Sequence, residues 1–491
     1  MQRHLTAVGI GLALVICGCG SDDESFGGSN NLSATGMVIS AQPSTGTPNV
    51  ILNNFQVAYV NGNGIVPTQG PITLTLSSNP TGAVLGGTTS GSTGFNGVID
   101  FNNLTISKKG VYRITASSPG VAPVVSNPIV IGGGSVNVVK TASIANPAAV
   151  TGGIFSVHSA DLNGDGNLDI VSSFFDDSLI SIYLGSANGT FSAPTNLTTT
   201  MNPQDFTIGD FNGDGKADLA VPSSFFDTMM IYLGQGNGSF AAPTSVAVGV
   251  TPVDAATGDF NGDGKADLVT ANFDGGNITV LLGNGTGGFP TVTPLALTAG
   301  VFANTPSKIL VADFNGDGKA DIAVADGSDS AVSNNQAQVF PGTGTGTFGA
   351  PTVLNTGNFP RGLAAADFSG DGKVDLATAN RNSNNLTIFI NNGAGFAAGV
   401  PQAAGVNPNK VSAADLNLDG KIDLINTNSN GGSASIHLGN GNGTFAAATT
   451  VLTSTAQPTG LDVGDYNKDS VPDFSIGNFS PFVLDIFLQT P

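Results

Sequence analysis

Short runs of alternating apolar and polar residues fill the chain from residue 36 to residue 132. Examples are Ile72–Ser78 (ITLTLSS) and Gly110–Ser118 (GVYRITASS), and glycine, asparagine and proline separate one run from the next. A period of two buries one face of a β-strand, and the separating residues favour turns. The pattern therefore predicts a small antiparallel β-sandwich over residues 36–132.

Beyond Gly132–Gly134 the pattern becomes periodic as far as residue 491. In each repeat one apolar run leads into an aspartate-led loop, a second run leaves it, and two further runs flank a Gly/Asn turn. Four strands in a repeat of about 50 residues are typical of a β-propeller. The sequence thus predicts an all-β chain with a propeller over residues 135–491, whose seven loops begin at Asp161, Asp210, Asp259, Asp313, Asp367, Asp415 and Asp465.

The last repeat lacks a fourth strand, because the chain stops at FVLDIFLQTP after the third strand of that repeat. An alternating segment, Ser135–Ile144 (SVNVVKTASI), precedes the first repeat and has no partner within it. Unpaired sheet edges are a liability that folded proteins avoid. We therefore predict that Ser135–Ile144 pairs with about Phe482–Leu488 and closes the ring.

Charge limits the partners of this chain. Its 491 residues include 35 acidic and 15 basic side chains, which gives a net charge of −20. Such a charge disfavours nucleic acid and anionic lipid headgroups and favours cations. Every acidic residue except Glu24 is an aspartate, and this bias suits short loops of oxygen ligands.

The loop DFNGDGKADL of the second repeat has the spacing of a calcium loop. Asp210, Asn212 and Asp214 occupy positions one, three and five, Gly215 position six and Asp218 position nine. Ca²⁺ takes about six to eight oxygen ligands, which such side chains supply together with the backbone carbonyl of position seven. Glycine at position six permits the positive φ of a tight turn. A solvated acidic turn is one alternative, and an EF-hand is another, although an EF-hand carries a glutamate at position twelve.

DFNGDGKADLAV followed by YLGQGNGSFAAPT resembles the FG-GAP or VCBS repeat of integrin alpha subunits and of many exported bacterial proteins. The resemblance covers residues 135–491 and implies a seven-bladed β-propeller with up to seven Ca²⁺ ions. In the sandwich, GVIDFNNLTISKKGVYRITAS is similar to bacterial immunoglobulin-like domains. Two loops depart from the repeat, with Ser369 at position three and Ser470 at position six. Carried over copy by copy, the implied calcium ligands are Asp161, Asn163, Asp165 and Asp169; Asp210, Asn212, Asp214 and Asp218; Asp259, Asn261, Asp263 and Asp267; Asp313, Asn315, Asp317 and Asp321; Asp367, Ser369, Asp371 and Asp375; Asp415, Asn417, Asp419 and Asp423; and Asp465, Asn467, Asp469 and Asp473.

Residues 1–18 resemble a bacterial lipoprotein signal peptide. Arg3 precedes the apolar run Val8–Ile16, and the small Gly18 stands before Cys19, the expected lipidation site. A plain secretory signal is the alternative. Residues 19–35 are rich in Gly, Ser and Asn and are predicted to form a flexible tether. The expected location is the outer membrane, at its periplasmic face or at the cell surface, with membrane contact through the lipid anchor alone.

The function that we expect is non-catalytic binding or adhesion. The ligand, a carbohydrate or a protein as the resemblance to integrins and propeller lectins implies, would lie on the face opposite the calcium loops. An enzyme, a lyase or hydrolase, is one alternative, with His158 and Asp462 as candidates because both stand three residues before a loop, at neighbouring ends of a closed ring. A passive surface scaffold is another. The candidate binding segments are Ala271–Asn277, Ala379–Asn385 and Asn426–Gly432.

Overall fold

The computed structural model describes residues 34–489 except 53, 62–63, 68–69, 80–81, 94–95, 146–149, 200–201, 299–303, 328–333, 454–456 and 481. The predicted signal peptide, Cys19 and nearly all of the tether lie outside the described residues. Regular structure in the described part is entirely β, which confirms the predicted all-β class. No helix long and apolar enough to cross a membrane occurs in that part.

Two β-sheets form the first folded unit. One contains β1, β3, β4 and β8, and the other contains β2, β12, β10, β5 and β7, with β11 paired to β10; β6 and β9 pair with each other. One core cluster joins the two sheets and includes Phe55, Tyr59, Phe101 and Tyr112. The arrangement agrees with a sandwich, while its immunoglobulin-like character stays a prediction. The strands are β1 (Gly36–Ala41), β2 (Thr45–Gly46), β3 (Phe55–Asn61), β4 (Gly64–Ile65), β5 (Pro71–Ser78), β6 (Leu85–Gly86), β7 (Ser90–Ser92), β8 (Val98–Phe101), β9 (Thr105–Ile106), β10 (Gly110–Ser118), β11 (Val121–Val125) and β12 (Ile129–Ile131).

Seven four-stranded sheets follow in the described chain from Val138 onwards, and we number them 1 to 7. Sheets 1 to 6 take four consecutive strands each, beginning at β14, whereas sheet 7 has the order β13-β40-β39-β38. The strands are β13 (Val138–Ala145), β14 (Ile154–Ala160), β15 (Asp169–Phe174), β16 (Leu179–Tyr183), β17 (Thr195–Thr198), β18 (Thr207–Gly209), β19 (Asp218–Ser223), β20 (Thr228–Tyr232), β21 (Thr244–Ala247), β22 (Pro252–Gly258), β23 (Asp267–Asn272), β24 (Asn277–Leu282), β25 (Thr291–Ala296), β26 (Pro306–Ala312), β27 (Asp321–Asp326), β28 (Gln336–Phe340), β29 (Thr352–Asn355), β30 (Pro360–Ala366), β31 (Asp375–Asn380), β32 (Asn385–Phe389), β33 (Val400–Ala403), β34 (Pro408–Ala414), β35 (Asp423–Asn428), β36 (Ser433–His437), β37 (Thr449–Leu452), β38 (Asp462–Gly464), β39 (Asp473–Gly477) and β40 (Val483–Gln489).

The repeated sheets are arranged like the blades of a propeller. The first strand of each sheet contacts the first strand of the next, and β38 of sheet 7 contacts β14 of sheet 1. Aromatic pairs join neighbouring sheets in the same order. Phe211, which follows the first loop aspartate of sheet 2, lies edge-on to Phe289 of sheet 3 at 6.0 Å, and Tyr466 of sheet 7 contacts Phe191 of sheet 1 at 5.7 Å. Such edge-to-face pairs stabilise the junctions beyond the area that they bury.

The strand β13 closes the ring, and we call it the closing strand. It runs antiparallel to β40, with Val138 opposite Gln489 and Ala145 opposite Val483. The predicted pairing of the N-terminal segment with the last strand is therefore confirmed, with observed limits within three residues of those predicted. The closing strand completes the four strands of sheet 7.

The glycines Gly132–Gly134 connect the two-sheet unit to the propeller and contact loop 6, which begins at Asp415. The N–H of Gly133 donates to the carbonyl of Asn417 at 2.6 Å, and the Asn417 amide donates to the carbonyl of Gly134 at 3.1 Å. A Cβ on Gly132 would lie 1.6 Å from the carbonyl oxygen of Leu418, so this close approach requires glycine.

Candidate functional site

Each aspartate loop is held by its own side chains. In loop 2, Asp210 accepts a hydrogen bond from the N–H of Gly215 at 2.9 Å, Asn212 accepts from the N–H of Asp214 at 2.9 Å, and Asp214 accepts from the N–H of Lys216 at 3.0 Å. Gly215 has a φ of 79°, as expected for position six. The loop conformation thus follows from the alternation of short acceptor side chains with glycine.

The aspartate at position nine lies deeper than the other three side chains. Asp218 is fully buried and accepts from the N–H of Phe211 at 2.9 Å and from the N–H of Gly234 at 2.7 Å, so it ties the loop to the end of the third strand. Burial raises the pKa of its carboxyl group, and these two hydrogen bonds act in the opposite direction. The corresponding carboxylates of the other sheets are buried as well: Asp169, Asp267, Asp321, Asp375, Asp423 and Asp473.

The predicted calcium ligands of one copy lie in one loop, and Asp210 and Asp214 are near enough to Asp218 to raise its pKa. In the described residues, no group of three or more acidic, histidine or cysteine side chains is placed to hold a metal ion. In loop 2 the position-five carboxylate of Asp214 contacts the ammonium group of Lys216 at 3.1 Å, and four other loops have the same pair. The donor set fits Ca²⁺ chemically, because every side-chain donor is a hard oxygen.

Two cavities lie on the face opposite the aspartate loops. The strand β22 starts at Pro252 on this face and ends at Gly258, directly before the loop aspartate Asp259, and the first strands of its neighbours run in the same direction. The first cavity has a volume of about 250 Å³ and the second a volume of about 190 Å³. Phe155 and Arg361 line both of them. All three candidate binding segments contribute to these walls, through Phe273, Arg381, Ser429 and Asn430.

Aromatic rings support the two arginines at the cavities. The guanidinium carbon of Arg361 lies 5.8 Å from the ring centre of Phe155 and 5.4 Å from that of Phe359. Arg381 lies 5.9 Å from the same Phe359 ring. Contacts of this kind attract the cation to the ring face and hold the guanidinium plane in place.

A buried ionic cluster lies below the cavities. Asp205 accepts hydrogen bonds from Lys308 at 2.8 Å, from Ser156 at 2.5 Å and from Lys410, and Lys308 also donates to Asp254 at 2.9 Å. Burial alone would raise the pKa of Asp205, but the two lysines and a neighbouring histidine lower it by more and hold it well below its ordinary value. This cluster was not predicted from the sequence. Its signal was a charged residue two positions after a proline in four repeats, at Asp205, Asp254, Lys308 and Lys410.

His158 and Asp462, the two candidates for catalysis, have different hydrogen-bond partners in the structure. The Nε2 atom of His158 hydrogen bonds to Asp205 at 2.7 Å. Asp462 instead accepts hydrogen bonds from Ser159 at 2.5 Å and from Tyr466 at 3.1 Å. His158 is near enough to Asp462 to lower its pKa, which burial raises. The imidazole thus bonds to the carboxylate that precedes sheet 2, and the carboxylate of sheet 7 bonds to Ser159 and Tyr466.

Comparisons with solved structures give distant similarities. The protein of "Structure of U3-55K" is 8% identical, has a TM-score of 0.47, and the match covers 72% of this chain and 98% of that one. A functionally unknown protein from Desulfotomaculum acetoxidans DSM 771 is 13% identical, with a TM-score of 0.43 and coverage of 64% and 94%. A luciferin-regenerating enzyme is 9% identical, with a TM-score of 0.40 and coverage of 58% and 90%. A search of curated proteins finds no match.

The repeats match a family model. The model of the FG-GAP-like repeat matches residues 161–221, 224–270, 259–324, 313–378, 367–426 and 415–475, and that of the FG-GAP repeat matches residues 202–241. Together these segments span more than half of the chain and include all the aspartate loops. Repeats of this kind indicate a binding or adhesion module of the β-propeller type. The chain therefore belongs to the family of FG-GAP-like repeat proteins.

Proposed function

We propose that this chain is an exported, lipid-anchored module that binds a carbohydrate or a protein in the two cavities and catalyses no reaction. The observation that carries the proposal is the lining of these cavities, in which phenylalanine rings stand beside arginine and amide side chains. Ligand sites typically combine apolar walls with a few polar groups that orient the ligand. The face opposite the aspartate loops has this combination.

The proposed module also binds up to seven Ca²⁺ ions, one in each aspartate loop. In loop 2 the oxygens of Asp210, Asn212, Asp214 and Asp218 would hold the ion, which would supply the positive charge that offsets three neighbouring carboxylates. Loops 5 and 7 suit the ion less well. Ser369 offers a hydroxyl in place of an amide oxygen, and Ser470 at position six has a φ of 66°, which favours glycine.

A carbohydrate-active lyase or hydrolase is the second candidate function. The observation that favours it is the His158–Asp205 pair at 2.7 Å, in which 33% of the histidine side chain is exposed. Because Lys308, Lys410 and Ser156 donate to the same carboxylate, we assign this pair to structure rather than to proton transfer. A passive surface scaffold is the third candidate.

The test is retention of glycans and proteins by the full chain in calcium. A glycan array, a panel of extracellular proteins, and lyase and hydrolase assays are run with the native chain and with Phe155→Ala. We expect retention without turnover, and a loss of about tenfold or more in affinity for the variant, because buried aromatic side chains carry much of a binding energy. Phe225→Ala is the matched control, since Phe225 is 68% exposed and lines neither cavity. Turnover would support the enzyme, and retention of nothing would support the scaffold.

The proposed location has a separate test. Cys19→Ala removes the expected lipidation site, whereas Cys17→Ala leaves it in place. We expect the first variant to lose both metabolic labelling with palmitate and sedimentation with membranes, while the second keeps both. Labelling that persists without Cys19 would contradict this assignment.

A further inference from the structure

Positive charge gathers at the second cavity of an acidic protein. Arg361 and Arg381, two of the four arginines in a chain of net charge −20, both line this cavity. The two guanidinium groups contact the same ring, that of Phe359, at 5.4 and 5.9 Å. A guanidinium group presents its N–H donors in a planar fork that matches a carboxylate. The local charge is thus opposite in sign to that of the protein as a whole.

The two cavities differ in their electrostatic surroundings. No acidic side chain is among the described residues that line the second cavity. In the wall of the first cavity, Thr251 is held by two carboxylates, since its N–H donates to Asp227 at 2.8 Å and its hydroxyl donates to Asp274 at 2.6 Å. Arg361 lines both cavities, but only the second also has Arg381, and only the first has the carboxylates of Asp227 and Asp274 bonded to its wall. An anionic group would therefore be attracted more strongly at the second cavity than at the first.

The remaining walls of the second cavity suit a ligand with many hydroxyl groups. Asn409, Ser429, Asn430, Gln457 and Thr459 present amide and hydroxyl groups, which both donate and accept hydrogen bonds. Asn409 and Ser429 are 6% and 5% exposed, and their side chains donate to the backbone carbonyls of Thr459 at 3.2 Å and Asn407 at 3.0 Å. These bonds fix the polar wall before a ligand arrives, which reduces the entropy lost on binding.

The rings of Phe155 and Phe479 form the apolar part of the same cavity. A sugar ring has an apolar C–H face that packs against an aromatic ring, while its hydroxyl groups point to the rim. The volume of about 190 Å³ is below the roughly 300–1,000 Å³ of sites for drug-sized ligands, so it suits a single sugar residue of a longer chain.

From this combination we infer that the second cavity binds a uronate, a sugar residue that carries a carboxylate, with Arg361 and Arg381 as the groups that receive the carboxylate. The inference rests on the proposed function and specifies its ligand. The neighbouring residues of the polysaccharide extend from the cavity across the exposed face. An acidic peptide would use the same arginines but would leave most of the amide and hydroxyl wall without partners.

The arginines are positioned by backbone contacts as well as by the ring of Phe359. Arg361 belongs to β30, and the N–H of Arg381 donates to the carbonyl of Phe359 at 2.9 Å. The side chain of Asn407 donates to the carbonyl of Arg381 at 2.8 Å. The charged groups therefore extend from fixed backbone, and substitution by glutamine removes the charge but keeps a polar side chain on that backbone.

The experiment measures calorimetric binding of trigalacturonate to the full chain in calcium-containing buffer. We expect Arg361→Gln and Arg381→Gln each to weaken binding about tenfold or more, because a charged hydrogen bond is lost. Arg361→Lys keeps the charge but not the planar fork and gives an intermediate loss. Arg113→Gln, an exposed arginine of the two-sheet unit, makes the same change in net charge and leaves binding unchanged. Thermal melting of each variant separates a loss of binding from a loss of folding.

The methyl ester of trigalacturonate and an aspartate-rich peptide are the comparison ligands. We expect the native chain to bind the ester about as weakly as the Arg361→Gln variant binds the acid. The affinity for the ester should be the same in the native chain and in that variant. Three results would each overturn the inference of a uronate site and leave the proposed function intact. They are equal binding of acid and ester, normal binding of the acid by the arginine variants, and tighter binding of the peptide than of the acid. A native chain that retains no glycan and no protein would overturn both.

Discussion

The hydroxyl of Ser143 donates a hydrogen bond of 2.6 Å to the carboxylate of Asp485, which lies 342 residues further along the chain. Ser143 is on the closing strand and the buried Asp485 is on β40, opposite it in the register of sheet 7. The Asp485 carboxylate also accepts from Asn478 at 3.2 Å and lies 3.6 Å from the ammonium group of Lys140. The two ends of the ring thus meet through a polar network at a buried carboxylate.

Substitution of Ser143 by alanine removes one donor from that carboxylate. We predict that Ser143→Ala lowers the free energy of unfolding by about 1–3 kcal/mol, since a buried charged acceptor loses a hydrogen bond. Urea denaturation of the native chain and the variant measures the difference. Thr450→Ala, at an exposed position of the outer strand β37, is the control and is expected to change stability by less than about 0.5 kcal/mol. Equal effects of the two substitutions would contradict a special role for the closing strand.

Removal of calcium is predicted to destabilise the propeller. An ion present at about 100 times its dissociation constant stabilises the folded state by roughly 2.7 kcal/mol per site. Excess chelator should therefore lower the melting temperature strongly, and calcium should restore it better than magnesium does. Loss of calcium from single loops is followed with Asp210→Ala, compared with Asp177→Ala outside the loops. A melting temperature that does not change after verified removal of the metal would rule out calcium in the loops.

The cluster below the cavities is predicted to be sensitive to the loss of its central anion. Asp205→Asn leaves Lys308 and Lys410, whose side chains are only 16% and 15% exposed, without their shared carboxylate. Breaking a buried ion pair in this way typically costs about 3–5 kcal/mol of stability. The matched control is Asp274→Asn, at a hydrogen-bonded carboxylate beside the first cavity. Denaturant unfolding of the native chain and the two variants measures the difference. Similar unfolding midpoints for the two variants would mean that the ionic cluster contributes little to stability.

The buried His437 predicts a stability change in mild acid. Its Nε2 lies 3.0 Å from the side-chain oxygen of Asn426, and burial lowers its pKa from 6.5 to about 4. Between pH 6.5 and about pH 4, His437 is therefore protonated in the unfolded chain but neutral in the folded chain. The contribution of the neutral His437 to the free energy of unfolding is thus complete above pH 6.5 and is lost as the pH falls towards 4. The loss from this one group amounts to about 3 kcal/mol at most.

His437→Gln removes the titrating group and isolates its contribution from that of the carboxylates. The difference in unfolding free energy between the native chain and the variant, measured from pH 7 to pH 4, should shrink as the pH falls. If the difference in unfolding free energy between the native chain and the variant did not change with pH, His437 would have the same pKa in the folded and unfolded states.

Sequence periodicity predicted the fold because each repeat forms its strands from local contacts. The turn residues, the alternation of apolar and polar residues and the aspartate loops recur in the copies, and together they predicted the all-β class. The pairing of the closing strand followed from the count of strands, because the last repeat lacked a fourth strand. The closing strand begins at Val138 rather than at Ser135 because the side chain of Asn417 and the glycines before it hold the preceding backbone near loop 6.

The cavities and the ionic cluster could be predicted less well, because they join residues from different copies. Asp205 meets Lys308 and Lys410, which follow it by 103 and 205 residues. Periodicity places these residues at the same level of the ring, but it does not state which side chains face each other across the centre. The same limitation applies to His158, whose hydrogen bond to Asp205 was not predicted. The three candidate segments could be located from the sequence because turn composition is a local property, and their role in binding stays a prediction.

The closing strand also sets the time at which the propeller can be completed during synthesis. Its partner Asp485 is made 342 residues after Ser143, which takes about 17–70 s at ordinary translation rates of about 5–20 residues per second. The closing strand is therefore without its partner while sheets 1 to 6 form. Until β40 has been made, the closing strand lacks its partner and is open to pairing with other chains. Factors that shield exposed strands should therefore matter most for this chain in the interval before β40 is made.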